Sequence, residues 1–221
     1  MKPRLIIHNS TSLDGRLTGF EIDMERHYGL AASFGNDVHL AGSETILAQE
    51  SMLPEDDHTA FDPPKVSYDD RRAILVVPDS RGRIKRWHGL RVSGFWKDVV
   101  ALVSASTPGA YLEFLRERHV RYLVKGDDRV DLAASLAILA DELGTKTVMQ
   151  DSGGILNGVM LEAGLVDEVS LLVHPVIAGE DQVPLFRLTG SSAPPRLEMV
   201  RHETVSDGLL WIRCAVLYPD G

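Results

Sequence analysis

Short apolar runs alternate with segments of helical periodicity along most of the chain. Continuous apolar runs, typical of strands buried on both faces of a parallel sheet, occur at 73–77, 98–104 and 120–124. Further short strands are predicted at 4–9, 37–41, 147–150 and 168–173. Helices are predicted at 24–34, 42–50, 108–119, 131–143 and 153–163. This alternation predicts an α/β fold with a mostly parallel central sheet and helices on both of its faces.

The predicted helices carry residues that favour particular ends and faces. Thr107 and Pro108 suit the N-cap and first position of the helix that follows them. Gly144 suits the end of the helix at 131–143. The helical period over 24–34 places three residues on one face, namely Tyr28, Ala31 and Ala32.

The C-terminal part of the chain has a different pattern. Residues 195–205 and 209–218 predict an antiparallel pair of strands joined at 206–208. The continuous apolar run at 209–212 indicates burial on both faces, and a hairpin at a sheet edge needs a cover. A second copy of the chain is the simplest cover, so we predict a homodimer. The alternative is a monomer whose hairpin packs on its own sheet. Because no stretch separates two cores, we predict a single domain over 1–221.

Composition narrows the class of protein. The chain has 221 residues, of which 44% are hydrophobic and 25% are charged, as in ordinary globular proteins. No apolar run approaches the roughly 18 residues of a membrane helix. Cys214 is the single cysteine and cannot form an internal disulfide. We therefore expect a cytoplasmic location.

Negative charge dominates the composition, and it is unevenly placed. Asp and Glu number 32 against 23 Lys and Arg, a formal net charge of −9 that argues against a nucleic-acid partner. The segment 54–72 is acidic and rich in turn residues, and we interpret it as a surface excursion. The segment 81–97 holds six cations and no carboxylate. It is either a solvated basic loop or the place of a small anionic ligand.

Several common catalytic motifs are missing from the sequence. It has no dinucleotide-binding G-x-G-x-x-G after a strand, no phosphate-binding P-loop, no H-E-x-x-H and no G-x-S-x-G elbow. The eight histidines and one cysteine have no metal-ligand spacing, so we predict no metal site.

Polar residues follow three of the predicted strands, at 8–15, 41–45 and 150–158. In an open parallel sheet, ligands bind beyond the carboxyl ends of the strands. The last two segments also begin helices, whose free N–H groups suit a pyrophosphate. Gly153 and Gly154 would let a ligand approach the backbone, although turn chemistry alone also explains a glycine at a helix start.

These segments resemble a known family. The matching motifs are Ser-Leu-Asp-Gly-Arg at 12–16, Gly-Ser-Glu-Thr-Ile-Leu at 42–47 and Gly-Gly-Ile-Leu-Asn-Gly at 153–158, followed by 161–168. They resemble the reductase domain of riboflavin biosynthesis, which has the dihydrofolate reductase fold and reduces a phosphoribosylamino-pyrimidine with NADPH. The resemblance extends from residue 4 to about 217. The zinc deaminase domain of the bifunctional enzymes has no counterpart in this sequence.

The resemblance implies a role for each polar strand end. It places beside the nicotinamide Ser10 and Thr11. It assigns phosphate binding at a helix start to Gly42, Ser43 and Thr45. It assigns the adenosine ribose and its 2′-phosphate to Ser80, Arg81 and Arg83. It assigns the binding of the pyrophosphate to Gly153, Gly154, Ile155, Leu156 and Asn157.

The substrate half departs from the family pattern. Gln49 stands where the family has an acidic substrate contact, and Asp56 and Ser33 stand near expected arginines. We predict three substrate contacts, Asn9, Gln49 and Asp151, and two catalytic residues, His8 and Asp151. His8 is either a proton donor near the nicotinamide or a hydrogen-bonded core histidine.

The resemblance therefore implies an NADPH-dependent oxidoreductase that transfers hydride to a C=N or C=O carbon of a small heterocycle, as the pyrimidine reductase of riboflavin synthesis does. Two alternatives stay open. One is a nucleotide-binding protein of the same family without turnover, and the other is a reductase of a different substrate, such as a pterin or another carbonyl compound.

Overall fold

The computed structural model of the chain describes residues 2–64, 69–190, 195–205 and 208–219. The strands of the described residues are β1 (Arg4–Ser12), β2 (Val38–Leu40), β3 (Ile74–Pro78), β4 (Asp98–Val103), β5 (Arg121–Val124), β6 (Thr147–Gln150), β7 (Glu168–His174), β8 (Arg196–Thr204) and β9 (Leu210–Leu217). The α-helices are α1 (Met24–Ala32), α2 (Ser43–Gln49), α3 (Trp87–Val92), α4 (Gly109–Glu117), α5 (Leu132–Leu143) and α6 (Gly154–Glu162). Two short 3₁₀ helices are Glu50–Met52 and His58–Phe61.

The chain divides into two compact units. The middle unit comprises Asp37–Lys146 with the first residues of the chain, and the terminal unit comprises Arg4–Asn36 and Thr147–Gly221. In the middle unit the strand order is β5-β4-β3-β2, and the strands pair in parallel. The apolar faces of β3 and β4 pack with α3 and α4 in a core that includes Trp87, Tyr111 and Leu115.

In the terminal unit the strand order is β6-β1-β7-β9-β8. β1 pairs in parallel with β6 and β7, whereas β9 pairs antiparallel with both β7 and β8. β1 is buried from its second residue to its last, as expected of a central strand. The start of β7 is held by Glu168, which accepts hydrogen bonds from Arg4 and Arg213. Burial alone would raise the pKa of Glu168, but these two guanidinium groups bring it below the usual value.

The predicted α/β class, the mostly parallel pairing and the C-terminal antiparallel pair are confirmed. Residues 206 and 207 of the predicted joining turn lie outside the described residues. The single domain over 1–221 stays a prediction. Gly144 ends α5 in the left-handed conformation, with φ +64°, as predicted. None of the helices among the described residues is long and apolar enough to span a membrane.

Four local predictions were wrong. β5 is exposed or half-buried because it is the last strand of its unit. α3 lies within the segment that we interpreted as a loop. Pro108 is the N-cap of α4, while the hydroxyl of Thr107 donates a hydrogen bond to another loop. Of the face predicted for α1 only Ala31 is buried, while Tyr28 is half exposed and His27 is buried instead.

Candidate active site

The loop after β3 is fixed by a buried carboxylate in the middle unit. Oδ2 of Asp79 accepts hydrogen bonds from the backbone N–H of Ile84, at 2.9 Å, and from the hydroxyl of Tyr111, at 2.8 Å. The indole of Trp87 donates to the same Tyr111 oxygen at 2.8 Å. Burial, and then the charge of Asp79, raises the pKa of Tyr111, so the phenol stays a donor. The loop therefore has a defined shape.

This loop carries the three residues predicted to meet the 2′-phosphate. Gly82 has φ +65°, and a Cβ at this position would meet the ring of Tyr111 at 2.6 Å. Ser80 accepts a hydrogen bond through its carbonyl from Thr107, at 2.8 Å. Arg81 is exposed and forms no hydrogen bond or ion pair with the described part of the chain. Its guanidinium is thus available for an anion.

Arg83 connects the loop to the start of α2. Its Nη2 donates to Ser43 Oγ at 3.1 Å and to Glu44 Oε1 at 2.5 Å. The bond with Glu44 raises the pKa of the Arg83 guanidinium. Its Nε–H is buried and has no partner among the described residues. Gly42 is the N-cap of α2, and Thr45 lies in the first turn of this helix. The structure thus brings together two of the predicted phosphate segments, with a carboxylate beside them.

In the terminal unit a carboxylate lies directly after β6. The Asp151 side chain is 26% exposed. Its Oδ1 accepts a hydrogen bond from Asn9 Nδ2 at 3.2 Å, and its Oδ2 lies 3.2 Å from His27 Nε2. The amide of Asn9 also donates to the carbonyl of Ser152 at 3.1 Å. The predicted residues Asn9 and Asp151 are therefore in direct contact, and Asp151 is the more accessible of the two.

Asn157 supports this arrangement from α6. Its Oδ1 accepts from Gln150 Nε2 at 2.7 Å, and its Nδ2 donates to Asn9 Oδ1 at 3.0 Å and to the carbonyl of Leu185 at 2.9 Å. The side chain is fully buried. Asn157 therefore holds Asn9 in place, and contact of its side chain with the pyrophosphate stays a prediction without geometric support.

His8 is fully buried on β1. Its Nδ1 lies 2.9 Å from Ser170 Oγ, and its Nε2 lies 3.1 Å from the carbonyl oxygen of His27. The indole of Trp211 donates to the same Ser170 hydroxyl at 2.9 Å. Since both ring nitrogens are engaged inside the protein, the geometry favours the core interpretation over a proton donor at the nicotinamide.

At the start of α6, Gly153 has space for a side chain and Gly154 has none. A Cβ added at Gly153 would meet nothing within 4 Å, whereas one at Gly154 would lie 2.2 Å from the carbonyl oxygen of Pro184. Gly154 is therefore required for packing against that loop, and its contact with a pyrophosphate stays a prediction. Ile155 is exposed and Leu156 half-buried in the first turn. The N-cap at Gly153 has no side-chain hydrogen bond, so the first N–H groups of the helix can bind an anion.

The remaining predicted residues are separate from these networks. Gln49 is exposed at the end of α2. Asp56 pairs with Arg118, with 2.6 Å between Oδ2 and Nε. The Ser33 hydroxyl donates to the carbonyl of Leu30 at the end of α1. Thr11 is buried. Gln49 alone among these has a side chain exposed and without a described partner.

Sequence reasoning missed His27. It is almost fully buried and lies between Ser10 Oγ, 3.0 Å from its Nδ1, and the Asp151 carboxylate. The ring of Tyr28 packs edge-on against it, and burial together with the charge of Asp151 raises the pKa of Tyr28. The spacing of His27 and Ala31 was the one available signal, because residues four apart share a helix face.

Comparison with known structures defines the class of fold. Dihydrofolate reductase from Enterococcus faecalis, in a complex with NADP(H), superposes with a TM-score of 0.50 at 10% identity and covers 96% of both chains. RibD from Acinetobacter baumannii superposes with a TM-score of 0.67 at 15% identity over 97% of this chain. This chain spans 58% of the length of that RibD chain. The predicted dihydrofolate reductase-like fold is confirmed.

The family follows from the sequence match. A family model described as the RibD C-terminal domain matches residues 3–211, and the chain belongs to this family. A relative from Methanothermobacter thermautotrophicus is 30% identical over 224 residues, which cover 95% of this chain and 97% of the relative. That relative is named 2,5-diamino-6-ribosylamino-4(3H)-pyrimidinone 5′-phosphate reductase. The predicted family is confirmed.

Proposed function

We propose that the protein is an NADPH-dependent reductase of a phosphoribosylamino-pyrimidine in riboflavin synthesis. The proposal is based on the similarity, over 95% of the chain, to the relative named as a ribosylamino-pyrimidinone 5′-phosphate reductase. The polar groups of the two units support it, because each offers unused hydrogen-bonding capacity that suits one part of such a reaction. A cytoplasmic location stays a prediction.

The middle unit offers groups that fit the 2′-phosphate of NADPH. The Arg81 guanidinium has no described partner, and the buried Nε–H of Arg83 is unpaired. Planar guanidinium groups suit phosphate oxygens well. The Ser43 hydroxyl lies 3.1 Å from Arg83 Nη2. The Ser80 hydroxyl accepts a hydrogen bond from the backbone N–H of Val130 and can donate its own proton to a phosphate. Glu44 competes for Arg83 and weakens this site without removing it.

The terminal unit offers groups for the pyrophosphate and the reacting end. The first N–H groups of α6 suit the pyrophosphate, and the buried Ser10 and Thr11 would form a wall beside the nicotinamide. When bound, NADPH supplies the hydride. The protein orients the substrate and excludes water, and the Asp151 carboxylate accepts hydrogen bonds from N–H groups of the heterocycle. Asn9 orients that carboxylate.

The test is oxidation of NADPH, followed by its absorbance, with 2,5-diamino-6-ribosylamino-4(3H)-pyrimidinone 5′-phosphate and with pterin and carbonyl compounds. We expect turnover with the pyrimidine. We also expect NADPH to bind at least about tenfold more tightly than NADH, or about 1.4 kcal/mol, and Arg81→Ala to remove most of that difference. Turnover with a pterin or carbonyl compound alone would replace the proposed substrate.

A second candidate is a nucleotide-binding protein without turnover. The observation that favours it is Asp56, which stands near the position where the resemblance implies an arginine for the substrate phosphate. In the structure Asp56 forms an ion pair with Arg118 instead. Tight NADPH binding with no oxidation by any of these substrates would support this candidate.

We further propose a homodimer formed through β8. This strand pairs only with β9 among the described strands, and it is exposed along almost its whole length. Leu197, Met199 and Val200 are each more than half exposed. An unpaired apolar edge of this length is a ready pairing surface. Sedimentation at low micromolar concentration tests the proposal, and a single species near 24.3 kDa would contradict it.

A further inference from the structure

A line of three polar side chains runs through the terminal unit from the core toward the surface. Ser10 Oγ lies 3.0 Å from His27 Nδ1, and His27 Nε2 lies 3.2 Å from Asp151 Oδ2. Ser10 and His27 are almost fully buried, while the Asp151 side chain is partly exposed. The histidine comes from α1 and the carboxylate from the end of β6, so their contact depends on the folded unit.

The hydrogen-bond chemistry gives this line a direction. An ionised carboxylate only accepts hydrogen bonds, so the proton between His27 and Asp151 belongs to His27 Nε2. In the neutral ring Nδ1 is then an acceptor, and it takes the hydroxyl proton of Ser10. Asn9 donates to the other carboxylate oxygen. Both oxygens of Asp151 are therefore held, one by an amide and one by an imidazole.

The position of His27 is itself supported from the core. Its backbone carbonyl accepts a hydrogen bond from Nε2 of His8, at 3.1 Å, and the two rings lie with centroids 4.5 Å apart. His8 is held in turn by Ser170. The imidazole of His27 therefore has little freedom to move away from Asp151.

We propose that His27 is a positioning residue, which holds the Asp151 carboxylate in the orientation that accepts N–H groups of the substrate heterocycle. The inference rests on the proposed reductase function. A partly exposed carboxylate held on one oxygen only can rotate about its Cβ–Cγ bond, and a donor on each oxygen prevents this. Substrates with an N–H donor are those whose binding and turnover depend on the arrangement.

A matched pair of amide variants tests the role. The amide of His27→Gln can reach the position of Nε2 and donate to Asp151, whereas the shorter amide of His27→Asn reaches the position of Nδ1 only. We expect His27→Asn to lower kcat/KM for the pyrimidine by about tenfold to a hundredfold, as for the loss of a hydrogen bond to a charged group. We expect His27→Gln to stay within about threefold of the wild type, and the Kd for NADPH to change little in both.

The control is His88→Gln, a buried histidine of the middle unit that lies outside the proposed site. It should leave kcat/KM unchanged. Equal losses in His27→Asn and His27→Gln, or no loss in either, would show that His27 is only part of the packing and would overturn the proposal. Thermal unfolding of both variants shows whether they are equally folded.

A second measurement needs neither cofactor nor substrate. Long-range ¹H–¹⁵N spectra of histidine-labelled protein report which ring nitrogen carries the proton, and the signal lost in His27→Gln identifies His27. We expect the Nε2–H tautomer. The Nδ1–H tautomer would overturn the inference whatever the activity of the protein, whereas an absence of turnover in the wild type would contradict the proposed function instead.

Discussion

Glu44 is the feature of the candidate phosphate site that opposes its proposed function, and its removal makes a prediction of definite sign. The carboxylate pairs with Arg83 at 2.5 Å, and the side chains are 69% and 35% exposed, respectively. A bound 2′-phosphate must share this guanidinium with Glu44 and lies near its charge. Glu44→Gln removes the charge and keeps the shape of the side chain, so NADPH should bind more tightly.

Two contributions set the magnitude. An exposed ion pair such as this one is worth about 0.2–1 kcal/mol, which the phosphate no longer has to displace. Repulsion between a carboxylate and a phosphate at a separation of about 7 Å in water adds roughly 0.5 kcal/mol. The sum is about 1 kcal/mol, or about a fivefold lower Kd for NADPH. NADH lacks the 2′-phosphate, so its Kd should not change.

The assay is titration of both nucleotides at fixed low salt, because screening reduces the effect at high salt. Glu55→Gln is the matched control, since Glu55 also pairs with an arginine at the surface, Arg86, at 2.8 Å. It should leave both dissociation constants unchanged. If Glu44→Gln leaves the ratio of NADPH to NADH affinity unchanged, Arg83 does not bind the 2′-phosphate.

Three further predictions concern stability, measured by denaturant unfolding. Gly154→Ala should lower the free energy of unfolding by about 1–3 kcal/mol because its Cβ has no space. Gly153→Ala has space for its Cβ and should lose only about 0.5 kcal/mol, as a poorer N-cap. Tyr111→Phe should cost about 1.5–3 kcal/mol, since Asp79 loses a donor while it stays buried. Folding lowers the pKa of Glu168, so ionisation of this carboxyl stabilises the folded protein above about pH 4.3. This contribution to the free energy of unfolding is lost as the pH falls through the folded-state pKa. Glu168→Gln should therefore show a smaller loss of stability between about pH 6 and pH 3 than the wild type does.

Much of the fold could be predicted because buried strands and helix ends leave local signals. The apolar runs of β3 and β4 identified central strands, and Gly144 identified the end of α5. β5 has the same kind of run but is the last strand of its unit, and an apolar run does not distinguish a central from a terminal strand. α3 was missed because it lies within a segment of six cations, which was interpreted as a loop although Trp87 and Leu90 are buried.

Only those residues of the candidate site that come soon after a predicted strand could be predicted from the sequence. Asp151 and Arg83 lie directly beyond parallel strands or in the loops after them, where ligands are expected. His27 is 124 residues from Asp151 in the chain, and no local pattern indicates such a contact. The glycine at 154 indicated a close approach to the backbone, and the structure shows the carbonyl oxygen of Pro184 at that position. A glycine in the sequence indicates that another group lies close to the backbone at that position, but it does not indicate which group.

The uneven charge of the chain has a structural explanation. Acidic side chains of the 54–72 excursion pair with cations of the middle unit, as in the pairs Glu55–Arg86 and Asp56–Arg118. Within the basic segment 81–97, Arg83, Arg86 and Arg91 pair with carboxylates, so the segment is partly neutralised. Because it also contains α3, it is not simply a solvated loop. Arg81 is exposed and has no partner among the described residues, whereas Lys85 donates to the carbonyl of Gly82 and lies over the ring of Tyr111. An exposed guanidinium without a carboxylate partner suits the 2′-phosphate, so Arg81→Ala should reduce the selectivity for NADPH over NADH more than Arg86→Ala, because Arg86 is already paired with Glu55.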